Sequence, residues 1–209
     1  MQMARALILS LIMACIVIAC ASSPRIVNQW SSPQYTSPRF KKIIVVGVSK
    51  QASLRRTFED EFVAQLKLAG VDAVASYLYL PEDGEVAETR LQEAVRQAKA
   101  DASLITRLIR VEKKTEISPG YYQPAPAFTL GFYPGYHAAW LGYYEPPYVY
   151  QHDVYISETS LYDLAGNQLV WSGTVETTDP SDINKEIKRY IERVIAALKE
   201  KNLLPSGKA

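Results

Sequence analysis

The stretch KKIIVVGVSK, residues Lys41–Lys50, decides the fold. Two lysines lead into Ile43–Val48, a run in which every residue but Gly47 is β-branched. Alternation with polar residues would mark a strand wetted on one face, and a 3.6-residue period would mark a helix. This run has neither, which is the pattern of a central strand covered on both faces. A covered central strand requires helices in the neighbouring sequence.

Downstream, Ser53 is placed to cap a helix running to about Ala69, with Leu54, Phe58, Phe62 and Leu66 four apart on one face. Gly70 ends it, and VDAVASYLYL (71–80) reads as a second strand. A second helix is expected from about Glu85 to Ala100, its inner stripe formed by Leu91, Ala94, Val95 and Ala98. ASLITRLIRVEKKTEI (102–117) reads as a third, long strand. DVYISETSLYDLAGNQLVWSGTVETT (153–178) shows two period-two runs around a Gly-Asn turn, a hairpin with Leu169, Trp171 and Val175 on one face. Asp179 or Ser181 is placed to cap a last helix striped by Ile183, Ile187, Ile191, Val194, Ile195 and Leu198, and Pro205 follows it. The expectation is a single α/β domain over residues 41–204. It is a two- or three-layer α+β sandwich with a mixed sheet and about three helices, in the order β-α-β-α-β-(insert)-β-β-α.

Two resemblances rest on these segments. The block LYDLAGNQLVWSGT…INKEIKRYIERVIAAL is similar to the C-terminal half of a bacterial lipoprotein family grouped as a domain of unknown function, whose members often carry a Tyr/Gly/Trp-rich insert before that hairpin. The first half, KKIIVVGVSK…RRTFEDEFVAQLKLAGVDAVASY, looks like the α/β modules of envelope accessory lipoproteins of the curli-secretion and penicillin-binding-protein-activator kind. Both imply a fold and a compartment rather than a mechanism.

The N-terminus agrees with that compartment. Arg5 precedes an uncharged apolar core, Ala6–Ala19, which is shorter than the ~20 residues of a spanning helix and stops at ASSPR. Val17-Ile18-Ala19-Cys20 resembles the bacterial lipobox, with Val17 and Ile18 where leucine and a small residue are commoner. That resemblance implies removal of residues 1–19 by cleavage between Ala19 and Cys20. Cys20 then becomes an S-diacylglycerol cysteine whose amine takes a further acyl chain such as palmitate. The chemistry requires cysteine because the thiolate is the nucleophile that forms the thioether. Three chains, each contributing about 0.8 kcal/mol per buried methylene, give a stable membrane anchor. Ala21 at the next position resembles the sorting pattern for the periplasmic face of the outer membrane. Residues 20–40, rich in Ser and Pro, read as a tether to the domain.

Other bounds are set by composition. The 209 residues carry a formal charge of +1, which becomes 0 once Arg5 leaves with residues 1–19, a segment holding no acid. A neutral body has no electrostatic footprint for nucleic acid. Both cysteines, Cys15 and Cys20, lie in the first twenty residues, so the body has neither a disulfide framework nor a thiolate metal site.

Residues 117–150, ISPGYYQPAPAFTLGFYPGYHAAWLGYYEPPYVY, hold eight of the 14 tyrosines, six prolines and a single charge, Glu145. Proline at this density argues against a helix or a core strand, so the segment is expected as an insert. Long structureless inserts are commonly functional or disordered, and aromatics are scarce in true disorder. Tyr121, Tyr122, Tyr133, Tyr136, Trp140, Tyr143, Tyr144 and Tyr148 are the candidate binding surface, for an envelope protein, a polysaccharide or the membrane interface. The competing expectation is a filler loop lying over the domain's own sheet.

Catalytic signatures are lacking: there is no G-x-S-x-G, G-x-G-x-x-G, P-loop, H-E-x-x-H or paired C-x-x-C. His137 lies inside the insert and His152 at its exit beside Asp153, and neighbours in a strand point to opposite faces. Glu59, Asp60 and Glu61 read as a solvated helix face. The chain is therefore expected to need no metal or cofactor and to be a binding or assembly module. An enzyme on envelope polymers, using His152 or carboxylates near the insert, is the alternative.

Overall fold

The computed structural model describes residues 24–35, 40–81, 84–121, 132–141, 143–180 and 182–205. The strands are β1 (Arg25–Ser31), β2 (Lys42–Val48), β3 (Asp72–Ala75), β4 (Ala102–Ser118), β5 (Tyr148–Asp163) and β6 (Gln168–Thr178). The helices are α1 (Ala52–Leu68), α2 (Glu88–Ala98), α3 (Phe132–Leu141) and α4 (Ile183–Glu200), with a 3₁₀ turn at Ser76–Leu78. One mixed sheet runs β1-β6-β5-β4-β2-β3, parallel across β4-β2-β3 and antiparallel elsewhere. The α/β expectation holds. Lipidation at Cys20 and residue Tyr122 fall outside the described residues.

Strand β2 is buried through Ile43, Ile44 and Val45. Ile43 and Val45 join the main core, and Ile44, pointing the other way by strand alternation, is equally sealed. That core is closed by Phe62 and Leu66 of α1, Leu104 of β4, Trp171 and Val175 of β6, and Ile191, Val194 and Leu198 of α4. Each large side chain sealed there contributes about 1.5–3 kcal/mol of hydrophobic stabilisation. Helix α1 ends at Gly70, whose φ of +84° is the left-handed conformation that terminates helices.

Trp171 explains the spacing W-x-G. Its indole lies across Gly173, so that a Cβ at position 173 would sit 2.3 Å from the ring. Only glycine leaves room there. A register shift between Leu161 and Tyr162 leaves Val170 opposite no residue of β5, and this bulge turns both Val170 and Trp171 into the core.

Several local expectations are corrected. Residues 20–40 were expected as tether, but β1 pairs with β6 from Arg25↔Glu176 to Ser31↔Trp171. The segment is tied further by Ser32 N–H to the Val170 carbonyl (2.8 Å) and by the Tyr35 hydroxyl to Asp163 (2.6 Å). The second strand is only four residues long before the chain tightens into the 3₁₀ turn. Ser53 lies inside α1 and Gln51 holds the cap position. Leu91 is exposed, because α2 is short and buries only Ala94 and Ala98. The cap of α4 is Asp182, which accepts from the N–H groups of Asn184 and Lys185, not Asp179 or Ser181. The insert holds a helix, α3, because Pro134 is its third residue and the first turn needs no N–H from it.

The largest correction concerns Glu59, which is fully buried rather than solvated. Its Oε1 accepts from Gly47 N–H (2.9 Å), Arg55 Nε (2.9 Å) and the Ser76 hydroxyl (2.8 Å), and its Oε2 accepts from Tyr77 N–H (3.0 Å). Arg55 spends its other donors on the Pro81 carbonyl and Ser76 Oγ. One carboxylate thereby joins β2, α1 and the 3₁₀ turn. Removing one member of a buried pair strands the other, at a cost of about 3–5 kcal/mol. Glu59→Ala is expected to lose stability on that scale, read as a lower urea midpoint. Arg55→Leu/Glu59→Leu, which removes both charges, is expected to lose markedly less.

Candidate functional site

Strands β4 and β5 outrun the sheet. Strand β2 leaves β4 at the pair Val48↔Arg107, and β6 leaves β5 at Val154↔Thr178. From there Lys113–Ser118 and Tyr148–Asp153 continue as a two-stranded ribbon, a further ~20 Å of arm. Two strands alone are marginal in water. Cross-strand contacts reinforce these: Lys113 with Asp153 (3.7 Å), His152 Nε2 with Glu116 (3.8 Å), and the Tyr150 hydroxyl with Glu116. Such pairs are worth a few tenths to ~1 kcal/mol each. His152 and Asp153 do not meet, each finding its partner across the strand. The His152 ring is stacked by Tyr150, and its Nδ1 is buried without a hydrogen-bond partner.

Beyond the ribbon, Tyr121 and Glu145 exchange both backbone hydrogen bonds at 2.9 Å. Helix α3 then carries Phe132, Tyr136 and Trp140 at four-residue spacing on one face. The rings form a chain of contacts: Phe132 to Tyr136 at 6.4 Å, Tyr136 to Trp140 at 6.3 Å, and Trp140 to Tyr143 at 6.3 Å between centroids. Tyr133 packs edge-on against Phe132, and Tyr148 lies tilted against Tyr150. The structure thus brings Tyr133, Tyr136, Trp140 and Tyr143 together, with Tyr121, Tyr144 and Tyr148 at the neck. Every one of these seven is more than half exposed, so none is tucked against the sheet as filler. Phe132 and Leu141, left out of the candidate list, belong to the same exposed tip. Their signal was present, since α3 has no charged residue on any face. No helix among the described residues is long and apolar enough to cross a membrane.

A second feature lies at the carboxyl ends of β2 and the body part of β4, under the first turns of α1 and α4. This cleft of about 320 Å³ is walled mainly by Val48, Leu54, Phe58, Leu108, Ile183 and Ile187. Two of its lining residues, Thr106 and Tyr190, are joined through the buried Thr159, whose hydroxyl meets Thr106 Oγ1 at 2.8 Å and the Tyr190 hydroxyl at 2.7 Å. Burial raises the Tyr190 pKa and keeps the phenol neutral. Glu186 is the one carboxylate among the described lining residues. Its Oε1 is held by Arg189 at 2.8 Å, and its Oε2 is buried without a partner. Acid–base hydrolysis by paired carboxyls needs two that converge, and here one stands alone. Among the described residues no group of three His, Cys, Asp or Glu side chains is placed to hold a metal ion. Sequence reasoning missed this cleft because its lining comes from six separate elements, β2, α1, β4, β5, β6 and α4.

No protein-family model and no curated protein matches the chain. Solved structures do. The PelC dodecamer from Paraburkholderia phytofirmans aligns at 15% identity over 84% of this chain and 96% of its own, with a TM-score of 0.46. Lipoprotein GNA1162 from Neisseria meningitidis aligns at 12% identity over 76% of this chain and 98% of its own, with a TM-score of 0.41. A PDZ domain protein from Parabacteroides distasonis aligns at 10% identity over 90% of this chain and 38% of its own, with a TM-score of 0.43. Likenesses this remote carry no functional information.

The arm's root is fastened by Glu176, whose side chain is only 12% exposed between Arg25 (3.1 Å) and Lys114 (3.2 Å). Burial works to raise its pKa, but the hydrogen bonds from Lys114 and Arg25 outweigh it and hold the carboxyl below its ordinary 4.5. A depressed folded pKa adds stability that is complete above the unfolded value and is lost as pH falls through the folded one. The wild-type urea midpoint is therefore expected to fall on acidification below about pH 4.5. Glu176→Gln should start lower at neutral pH and show a shallower acid decline.

Proposed function

We propose that this chain is a lipid-anchored protein of the bacterial envelope, held at the membrane through Cys20 and serving as a non-enzymatic binding or assembly module. Its working surface is the aromatic tip of the β4–β5 arm. The lipobox-like Val17-Ile18-Ala19-Cys20, the break after Cys20 and the resemblance to lipoprotein families support the anchor. Ala21 favours the periplasmic face of the outer membrane.

The observation that carries the binding reading is the tip itself. Seven aromatics gathered at the end of an arm, each over half exposed, form an apolar surface that a monomer in water would not keep bare. Tyrosine and tryptophan bring large contact area, a polar handle and little rotamer entropy, which suits recognition of protein, glycan or membrane. The core residues of the body all lie outside 117–150, so the body is expected to fold without the tip. An arm that presents such a surface is a contact device, whereas the cleft offers a single carboxylate.

Two measurements test this. Cys20→Ala should abolish metabolic acyl labelling and release the protein from membranes, and unchanged labelling would remove the anchor. A photo-crosslinking residue at position 133 should form adducts with an envelope component in cells. Phe132→Ser/Tyr136→Ser/Trp140→Ser should lose those adducts while keeping its melting temperature within a few degrees. Unchanged adducts in that triple variant would be evidence against the tip.

A further inference from the structure

We infer that the partner of the aromatic tip is the lipid bilayer itself: the arm stands on the membrane that holds Cys20, with α3 lying in the headgroup layer. This rests on the anchor reading above and adds the identity of what the tip touches.

The argument starts from where β1 begins. Arg25 pairs with Glu176, Glu176 with Ile156, and Ile156 with Arg110, so these four residues lie at one level across the sheet. Strand β1 runs from that level into the body, which means the chain enters the sheet from the arm's side. Cys20 is five residues before Arg25. Five residues span at most ~18 Å, and the anchor cannot lie farther from Arg25 than that. Along β4, Ser118 is eight residues beyond Arg110, or ~27 Å, with the Tyr121–Glu145 bridge and α3 attached to its far end. The arm is therefore longer than the leash. With the arm directed toward the membrane, a domain anchored at Cys20 cannot stand off far enough to lift the tip clear of the bilayer. Nor can it turn over, because a leash of ~18 Å is shorter than β1, whose own length is ~20 Å.

The chemistry of the tip fits that depth. Between residues 117 and 150 the only charge is Glu145. Charges begin on the shaft below it, at Lys113, Lys114, Glu116 and Asp153, at the level of water. A helix apolar on all sides is ordinarily buried, yet Phe132 is 77% and Trp140 64% exposed in this chain. Ten residues are too few to span a bilayer, which needs ~20. Their length and their Tyr/Trp content instead match the interfacial layer, where ring faces meet acyl chains and hydroxyl or indole N–H groups meet headgroups and water. A protein partner or a second copy would also cover the tip. Neither accounts for an anchor that enters on the same side within a shorter reach.

The test uses the lipidated full chain carrying Trp30→Phe, which leaves Trp140 and the buried Trp171. It is reconstituted into phosphatidylethanolamine/phosphatidylglycerol vesicles that contain brominated acyl chains. Flotation reports anchorage, and tryptophan emission reports the tip. The expected result is a blue shift with severalfold loss of Trp140 emission to bromine and protection from acrylamide, all absent in Trp140→Phe. Flotation with Trp140 unquenched by bromine and open to acrylamide would overturn this inference while leaving the anchor in place. Acrylamide protection that rises with protein concentration without lipid would overturn it in favour of a second copy. Loss of flotation would overturn the anchor reading and this inference together.

Discussion

The ladder between β4 and β5 is the constraint on which the rest of the molecule depends. Strand β4 has 17 residues and its parallel neighbour β2 has seven. In the body, β4 is a central strand, sealed through Ala102, Ser103, Leu104 and Thr106. Past Arg107 it loses β2 and past Glu112 its partner β5 loses β6, so the same strand becomes one half of an isolated ribbon. Mixed topology makes this possible. A parallel strand must return through a crossover, whereas an antiparallel hairpin can run outward without limit. The body and the arm are thus one continuous hydrogen-bonded element, and any force on the tip is delivered to the centre of the sheet.

That centre has to be fixed independently of the arm, and Glu59 does so. Buried carboxylates are costly unless their lone pairs are filled, and this one has four donors around it. Gly47 sits close under α1: a Cβ there would lie 3.2 Å from the Phe58 ring, a tight contact, and 3.5 Å from Glu59, an ordinary one. The pair Arg55–Glu59 is better understood as setting the position of α1 than as adding stability, because two well-packed apolar residues would stabilise as much. Its position beside the cleft is a consequence: the polar corner and the apolar walls share the first turns of α1.

What the sequence made legible follows from which signals are local. The run at Ile43–Val48 reads correctly as a strand because Ile43, Ile44 and Val45 are sealed on both faces, although Val48 at its end is exposed. The stripe of α4 reads correctly from Ile187 to Leu198 because 18 residues give five turns of evidence, whereas Ile183, in the first turn beside the cleft, is exposed. Strand β1 was missed because only Ile26 of its residues packs on the core, leaving no alternation among Ser and Pro neighbours. The arm was legible as a strand but not as a projection, for RVEKKTEI is as polar as any solvent-facing strand and its loss of neighbours is a tertiary fact. Helix α3 was missed by applying the interior rule for proline to a first-turn position. Glu59 was misplaced because Glu59, Asp60 and Glu61 look alike in sequence and only packing separates them. Of the candidate tip, the composition was plain, and the gathering of rings along α3 was not.

The distribution of charge along the arm has a physical logic of its own. An exposed two-stranded ribbon presents open edges, and lysines and paired charges are the usual protection against adding further strands. Lys113, Lys114, Glu116 and Asp153 provide it on the shaft, and their cross-strand partners keep the register from slipping. The tip carries no charge but Glu145 between residues 117 and 150, and its rings Phe132, Tyr136, Trp140 and Tyr143 pack in a row on one another. Selection against aggregation would ordinarily scatter such residues or tuck them under the sheet. Their concentration at one end, past a guarded shaft, is what a contact surface requires, and on the reading proposed above the shaft's length sets how far from the body its partner lies.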